Sequence, residues 1–362
     1  MVDKEQPSPR LWEPAPYDPD AVRLTHSPGM AEWMLDQRVS LAYTSYQTGR
    51  LIVAGVAPDG RLFFNEQNYT RAMGLHYAGG QLHVASLFQI WRLGNMLAPG
   101  EFANRAFDCV LVPRVAHVTG YVDAHELGVD RSGRVIFANS RFSCLAATDP
   151  DYSFRPIWKP RFISALAAED RCHLNGLAMS DGVPAFVTAV SSTDTPSGWR
   201  QRPQQGGVLV DVASGEIVTD GLSMPHSPRL YRDGVLVLDS GRGMLVSIDP
   251  ASGARTEILF LPGFLRGMAL HGDFALIAAS KPRGSSVGLP FEERLARERR
   301  APWCGIFVVD LGKAAVVEFI RYEAELVELF DIAVLPHRNP MTVGPATEEL
   351  LTAIRFDPTI SL

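Results

Sequence analysis

The chain has 362 residues, 46% hydrophobic and 20% charged, with a formal net charge of −6. That is ample material for a core, and an acidic balance without a long basic run excludes nucleic-acid binding through a basic face. No apolar run approaches a membrane span, and the four cysteines (Cys109, Cys144, Cys172, Cys304) form no CxxC pair, so neither a disulfide framework nor a thiolate zinc site is expected.

Residues 1–38 read as an extension. The start, "MVDKEQPSPRLWEPAPYDPD", is polar and Pro-rich and lacks the apolar core of a secretion signal, which points to a cytoplasmic protein. A helix is expected at "GMAEWMLDQ". From 39 to 337 short Val/Ile/Leu/Phe runs recur between Gly, Asp, Asn and Pro, the pattern of many short strands. A long-range repeat emerges on alignment. An apolar strand and a Gly turn lead to a second strand ending in a small polar residue ("LHVAS", "VIFANS", "FVTAVSS", "VLVLDS", "ALIAAS"). A third strand often ends in Asp: Asp149, Asp211, Asp249 and Asp310. "DVASG" and "DPASG" are hairpin turns, with Asp folding the turn and Gly supplying positive φ. A fourth strand follows, as in "RTEILFL".

Four antiparallel strands per unit, repeating every ~40 to 54 residues, describe β-propeller blades. The expected fold is all-β, a six-bladed propeller, although the repeat is also compatible with five or seven blades. Blades fall near 71–113, 125–162, 173–219, 226–261 and 264–321. A sixth takes three strands from 40–66 and its inner strand from "LFDIAVLP", so that N- and C-terminal strands close the ring and remove its open edges. Two long loops break the repeat, 191–206 and 281–303, the second with a charged helix. Residues 338–362 form a tail with a short amphipathic helix at "TEELLTAIRF", a surface that also suits a homodimer.

Three histidines stand at similar points of three units. His125 is four residues before Val129, His173 four before Leu177 and His226 four before Leu230, and Gly133, Gly182 and Gly234 follow. Each lies where the chain enters an inner strand, and inner strands line the central channel. The three imidazoles are therefore expected to converge at one mouth, on the face that carries both long loops. Three neutral nitrogen ligands suit one divalent transition metal (Fe, Cu or Zn) with positions open for water or substrate; ordinary channel histidines bonded to water are the plainer alternative. No nucleotide cofactor is expected.

Asp123 and Asn175, two residues from His125 and His173, fall on the histidine side of their strands and are candidate catalytic or orienting groups. Glu126 is a third candidate, with a hydrogen bond to a neighbouring blade as its plainer role; Cys172 reads as a packed thiol. Arg71, Arg141, Arg229, Arg242, Lys281 and Arg283 would draw an anionic substrate; the plainer role is an ion pair between blades for Arg229 and pairing with loop acids such as Asp194 and Glu292 for the others. Trp199 and Trp303 are candidate pocket walls.

The segments "CHLNGLAMSDG", "MPHSPRLYRDGVLVLDSGRG" and "LPGFLRGMAL" resemble an uncharacterised conserved bacterial family, over roughly residues 30 to 340. That resemblance implies a propeller and supplies no activity. One histidine per blade is similar in principle to the zinc-dependent peptidyl-hydroxyglycine amidating lyases, six-bladed propellers that are secretory and disulfide-bonded, unlike this chain. Lactonase-type propellers hold calcium with carboxylates and Asn, and the histidines depart from that pattern.

The expected function is a metal-dependent enzyme acting on a small anionic or peptide-like substrate, with an iron or copper oxidoreductase ahead of a zinc lyase or hydrolase because no carboxylate is firmly placed as a water-activating base. A non-catalytic binding module and a ligand-sensing domain are the alternatives.

Overall fold

The computed structural model describes residues 18–282 and 288–355. Six antiparallel sheets form the six blades of a β-propeller. Blade 1 pairs Ser40–Ser45, Arg50–Val56 and Leu62–Asn68 with the inner strand Ile332–Leu335 from the far end of the chain. Blades 2 to 6 begin with the inner strands Leu75–Ala78, Ala124–Val129, Leu174–Ser180, Pro225–Tyr231 and Phe264–His271. The closure is an ordinary antiparallel ladder, Ser40 opposite Leu335 and Tyr43 opposite Ile332. It ties both ends of the propeller into one sheet, so neither edge is left to pair with another chain.

Packing follows from strand alternation. Each blade buries both faces, and six apolar clusters fill the six gaps between neighbouring blades. In the gap between blades 1 and 6, Leu41, Tyr43, Ile52, Leu276, Ile306 and Ile320 interlock. In that between blades 3 and 4, Ile136, Leu145, Leu177 and Val187 do so with the buried Cys172. Each such aliphatic side chain contributes about 1.5–3 kcal/mol on burial. The cysteines are all free and buried.

Two edge strands were not expected from the sequence. Arg23–His26 adds a fifth strand outside blade 6, and Pro340–Thr342 pairs in parallel with Cys109–Val118 outside blade 2. Both are too short and too polar to carry a periodic signal. The helix Met30–Gln37 caps the blade 1–blade 6 gap with Met30 and Met34. The tail helix is one short turn, Glu348–Thr352. No helix among the described residues is long and apolar enough to cross a membrane.

Candidate functional site

The inner strands begin at one face of the ring, and there the backbone is unusual. Arg71, Asp123, His173 and Met224 all have positive φ, at 52°, 54°, 51° and 47°. They are structural counterparts: the carbonyls of Asp123 and His173 accept from Ser140 N and Val190 N, just past the end of each second strand. Four non-glycine residues at φ near +50° cost of order 1–3 kcal/mol each and recur where a chain must present side chains rather than merely pack. Just inside, register shifts interrupt the ladders at Phe137/Asn139, Leu174/Gly176, His226/Arg229 and Arg266/Met268. These bulges re-aim the side chains of the channel mouth. Blades 2 and 3 approach closely at this level: a Cβ on Gly74 would lie 2.5 Å from the His125 carbonyl.

Two tiers result. Phe330, Met73, His125, Asn175, His226 and Arg266 form the inner ring, one residue per blade. His173 belongs to the tier above, level with Asp123. The three histidines therefore come from three successive blades, as expected, but not from one column. His125 and His226 are equivalent, and the structural counterpart of both in blade 4 is Asn175. The difference lies in the hairpin that follows: two residues, 181–182, join Ser180 to Val183 in blade 4, against five, 130–134, between Val129 and Val135 in blade 3, so Gly182 and Gly133 are not counterparts.

Two of the rings meet: His125 and His173 are 4.8 Å apart edge to face, and His125 is 5.2 Å from Phe330. His226 packs 5.6 Å from Phe264 and is within electrostatic reach of both other histidines. All three are buried, at 6%, 9% and 5% exposure. Their Nδ1 atoms are all engaged on the protein side. His125 Nδ1 lies 3.1 Å from the Asp123 carbonyl and 2.8 Å from Ser140 Oγ, and that hydroxyl donates to the Leu174 carbonyl at 2.6 Å. His226 Nδ1 lies 2.8 Å from the Met224 carbonyl and 3.1 Å from Ser240 Oγ. His173 Nδ1 is 3.0 Å from both oxygens of Asp170, which also accepts from Trp199 Nε1 at 2.8 Å. Carbonyls and carboxylates only accept, so each Nδ1 carries a proton; where the ring is neutral, Nε2 is left as a lone pair. His226 Nε2 is buried with no hydrogen-bond partner.

Burial, reinforced by the nearby Arg266 charge, holds His226 well below the usual imidazole range; burial also brings His125 down to about 4, against the pull of Asp123. Both are neutral near pH 7. Asn175 Oδ1 accepts from Thr188 Oγ1 at 2.8 Å, which leaves its Nδ2 buried and unpartnered in the same ring. Asp123 Oδ2 is 3.7 Å from His125 Nδ1. Among the described residues, no three His, Cys, Asp or Glu side chains stand ready-made around a common metal position.

The other candidates divide. Glu126 is buried one step deeper. It accepts from Leu177 N at 2.7 Å and pairs with Arg229, so both serve the blade interface, the plainer of the roles expected for each. Asp331, bonded to Leu75 N at 2.7 Å, shares that layer; burial raises both carboxyls, and the Glu126 charge adds to the rise at Asp331. Arg242 is held by Asp239 at 2.6 Å, and Lys281 donates to the Glu323 carbonyl at 3.3 Å. Arg283 lies outside the described residues. Arg71 and Arg141 differ: each lies over a tyrosine, Tyr46 at 5.2 Å and Tyr121 at 5.1 Å, and neither is in an ion pair among the described residues. Cys172 is a packed thiol, pushed up to about 12 by burial. Trp303 stacks on Phe307 at 5.3 Å, in the gap between blades 5 and 6.

Both long loops cover this face. Trp199 stacks on His173 at 4.4 Å. The helix Pro290–Glu298 seats Phe291 against Phe264, 6.4 Å between rings, and the loops meet where Gln204 Nε2 donates to the Gly288 carbonyl at 2.6 Å. Sequence reasoning missed Asp170, Arg266, Phe330 and Met73. Arg266 was the legible one, since "GFLRG" places it in blade 6 where "SMPHS" places His226.

A family model described as "Domain of unknown function (DUF4915)" matches residues 28–343. No curated protein matches the chain. Among solved structures, a nidogen/laminin complex is similar with a TM-score of 0.53 and 11% identity, covering 83% of this chain and 99% of that one. A computationally designed protein, Ika8, gives a TM-score of 0.36 at 11% identity over 80% of this chain and 76% of its own. The first likeness is one of fold.

Proposed function

The chain belongs to the DUF4915 family, whose function is unknown, so its chemistry must come from its own residues, and we propose that it is a metal-dependent enzyme whose divalent transition metal is held by Nε2 of His125, His173 and His226. The observation that carries this reading is the shared tautomer. In all three rings Nδ1–H is spent on a carbonyl or carboxylate, which is how proteins orient metal-ligating histidines and raise their basicity. Because the rings are not closed around one point, binding requires side-chain rotation of the imidazoles toward each other.

The reaction class proposed is oxidation by iron or copper, in the reducing surroundings of the cytoplasm that four unpaired cysteines suit. The metal would supply open coordination positions. Two of the nearby carboxylates are committed elsewhere, Asp170 to His173 and Trp199 and Glu126 to Arg229, which leaves Asp123 as the one candidate base and weighs against a hydrolase. Asn175 Nδ2 is placed to donate to a bound substrate or water, and the joined loops to exclude solvent. Copper-reconstituted protein tests the ligand set: electron paramagnetic resonance should show coupling to three imidazole nitrogens, and a spectrum without nitrogen coupling would refute it. A metal-free ligand pocket is the second reading, favoured by the rings' not closing around one point among the described residues.

Asp170 should act as a positioning residue. Asp170→Asn keeps an acceptor but loses the charge that fixes the His173 ring, and metal affinity should fall roughly 10–100-fold, read by competition with a chelator. The substrate handle proposed is an anion docked by Arg71 and Arg141. With succinate as the ligand, Arg141→Glu should weaken binding by at least about tenfold, and affinity should fall as salt rises. Unchanged titrations in both tests would remove the anion from the account.

A further inference from the structure

A second concave feature lies outside the channel. Between blades 2 and 3 is a cavity of about 370 Å³, near the lower end of the ~300–1,000 Å³ typical of small-molecule sites. His83, Arg92 and His117 line it from blade 2, with Ile90, Val115 and Val135 supplying apolar wall. The cross-strand register explains the grouping. His83 is opposite Arg92, Arg92 is opposite Val115, and His117 is two residues beyond Val115, so the polar side chains share one face.

Two of these groups lack partners. His83 is 2% exposed and its Nδ1 has no hydrogen-bond partner among the described residues. Arg92 Nε is equally buried and equally unpartnered. The neighbouring Arg134 is neutralised by Asp130 at 3.1 Å, whereas Arg92 is in no ion pair among the described residues. A guanidinium left without an acceptor in a cavity, beside an imidazole that can donate, is complementary to an oxyanion. Burial and the adjacent Arg92 and histidines hold His83 down at about 4, so the positive charge of the site is that of Arg92.

We propose that this cleft binds a small organic anion, with its carboxylate or phosphate on Arg92 and His83 and its apolar body against Ile90, Val115 and Val135. The site is independent of the channel mouth and of any metal there. Calorimetric titration of the full chain at low ionic strength tests it, with phenyl phosphate and benzoate distinguishing the two headgroups and inorganic phosphate as the headgroup alone. Saturable 1:1 binding of phenyl phosphate or benzoate is expected, weaker for inorganic phosphate. Arg92→Gln should weaken it by at least about tenfold. Arg92→Lys, which keeps the charge and spares the fold, should retain part of it, and Arg141→Glu at the mouth should leave it unchanged. The proposal is overturned if neither aromatic anion saturates, if folded Arg92→Gln binds as the parent does, or if Arg141→Glu abolishes binding instead.

Discussion

Alanine at His125, His173 or His226 is expected to lower metal affinity by more than roughly a hundredfold, more than the loss of a residue that merely orients a ligand. The fold should survive each change. None of the three rings belongs to the apolar clusters between blades, and His173 lies at the solvent end of its strand beneath Trp199. The single variants should also rank alike. A site that tolerates loss of His173 but not of His125 or His226 would mean that only the equivalent pair binds, and that His173 serves to seat the Trp199 loop. Chelator competition on the three purified variants, with circular dichroism as the check on folding, makes the comparison.

The second large effect is on stability. Arg229 pairs with Glu126, whose side chain is 4% exposed, and Asp331 adds a second buried carboxyl to the layer. Arg229→Met would strand Glu126 beside it. Breaking a buried pair from one side typically costs about 3–5 kcal/mol, because the remaining charge keeps its desolvation penalty without its partner. Denaturant unfolding should show a loss of that size, whereas Arg141→Glu should move the midpoint little. Equal, small effects from both would return Arg229 to the substrate-binding residues.

The fold was legible because its signals are local and repeated. Hairpin turns such as "DPASG" and second strands such as "VLVLDS" recur at blade spacing, and the odd inner strand "LFDIAVLP" had a vacancy to fill. The site was legible in part. His125 and His226 fall in one column because their strands carry the same bulge. His173 was misplaced by one tier because the glycines that align the repeats are not counterparts: Gly133 lies in a five-residue turn between Val129 and Val135, Gly182 in a two-residue turn between Ser180 and Val183. The nine-residue step from His173 to Gly182, against eight for the other two, was the only trace. The pairings were illegible for a different reason. Whether an arginine meets a carboxylate, as Arg229 and Arg242 do, or a tyrosine ring, as Arg71 and Arg141 do, is decided by neighbouring blades and by loops with no periodicity. Asp170 reaches His173 and Trp199 from such a loop.

Elemental analysis of the full-length protein, purified without a histidine tag or chelator, bears on the central claim without requiring a substrate. The account predicts about one equivalent of iron or copper per chain, falling to background in His173→Ala while that variant remains folded. Metal-free wild-type protein that also fails to take up added iron, copper or zinc, or equal metal in parent and variant, would contradict it.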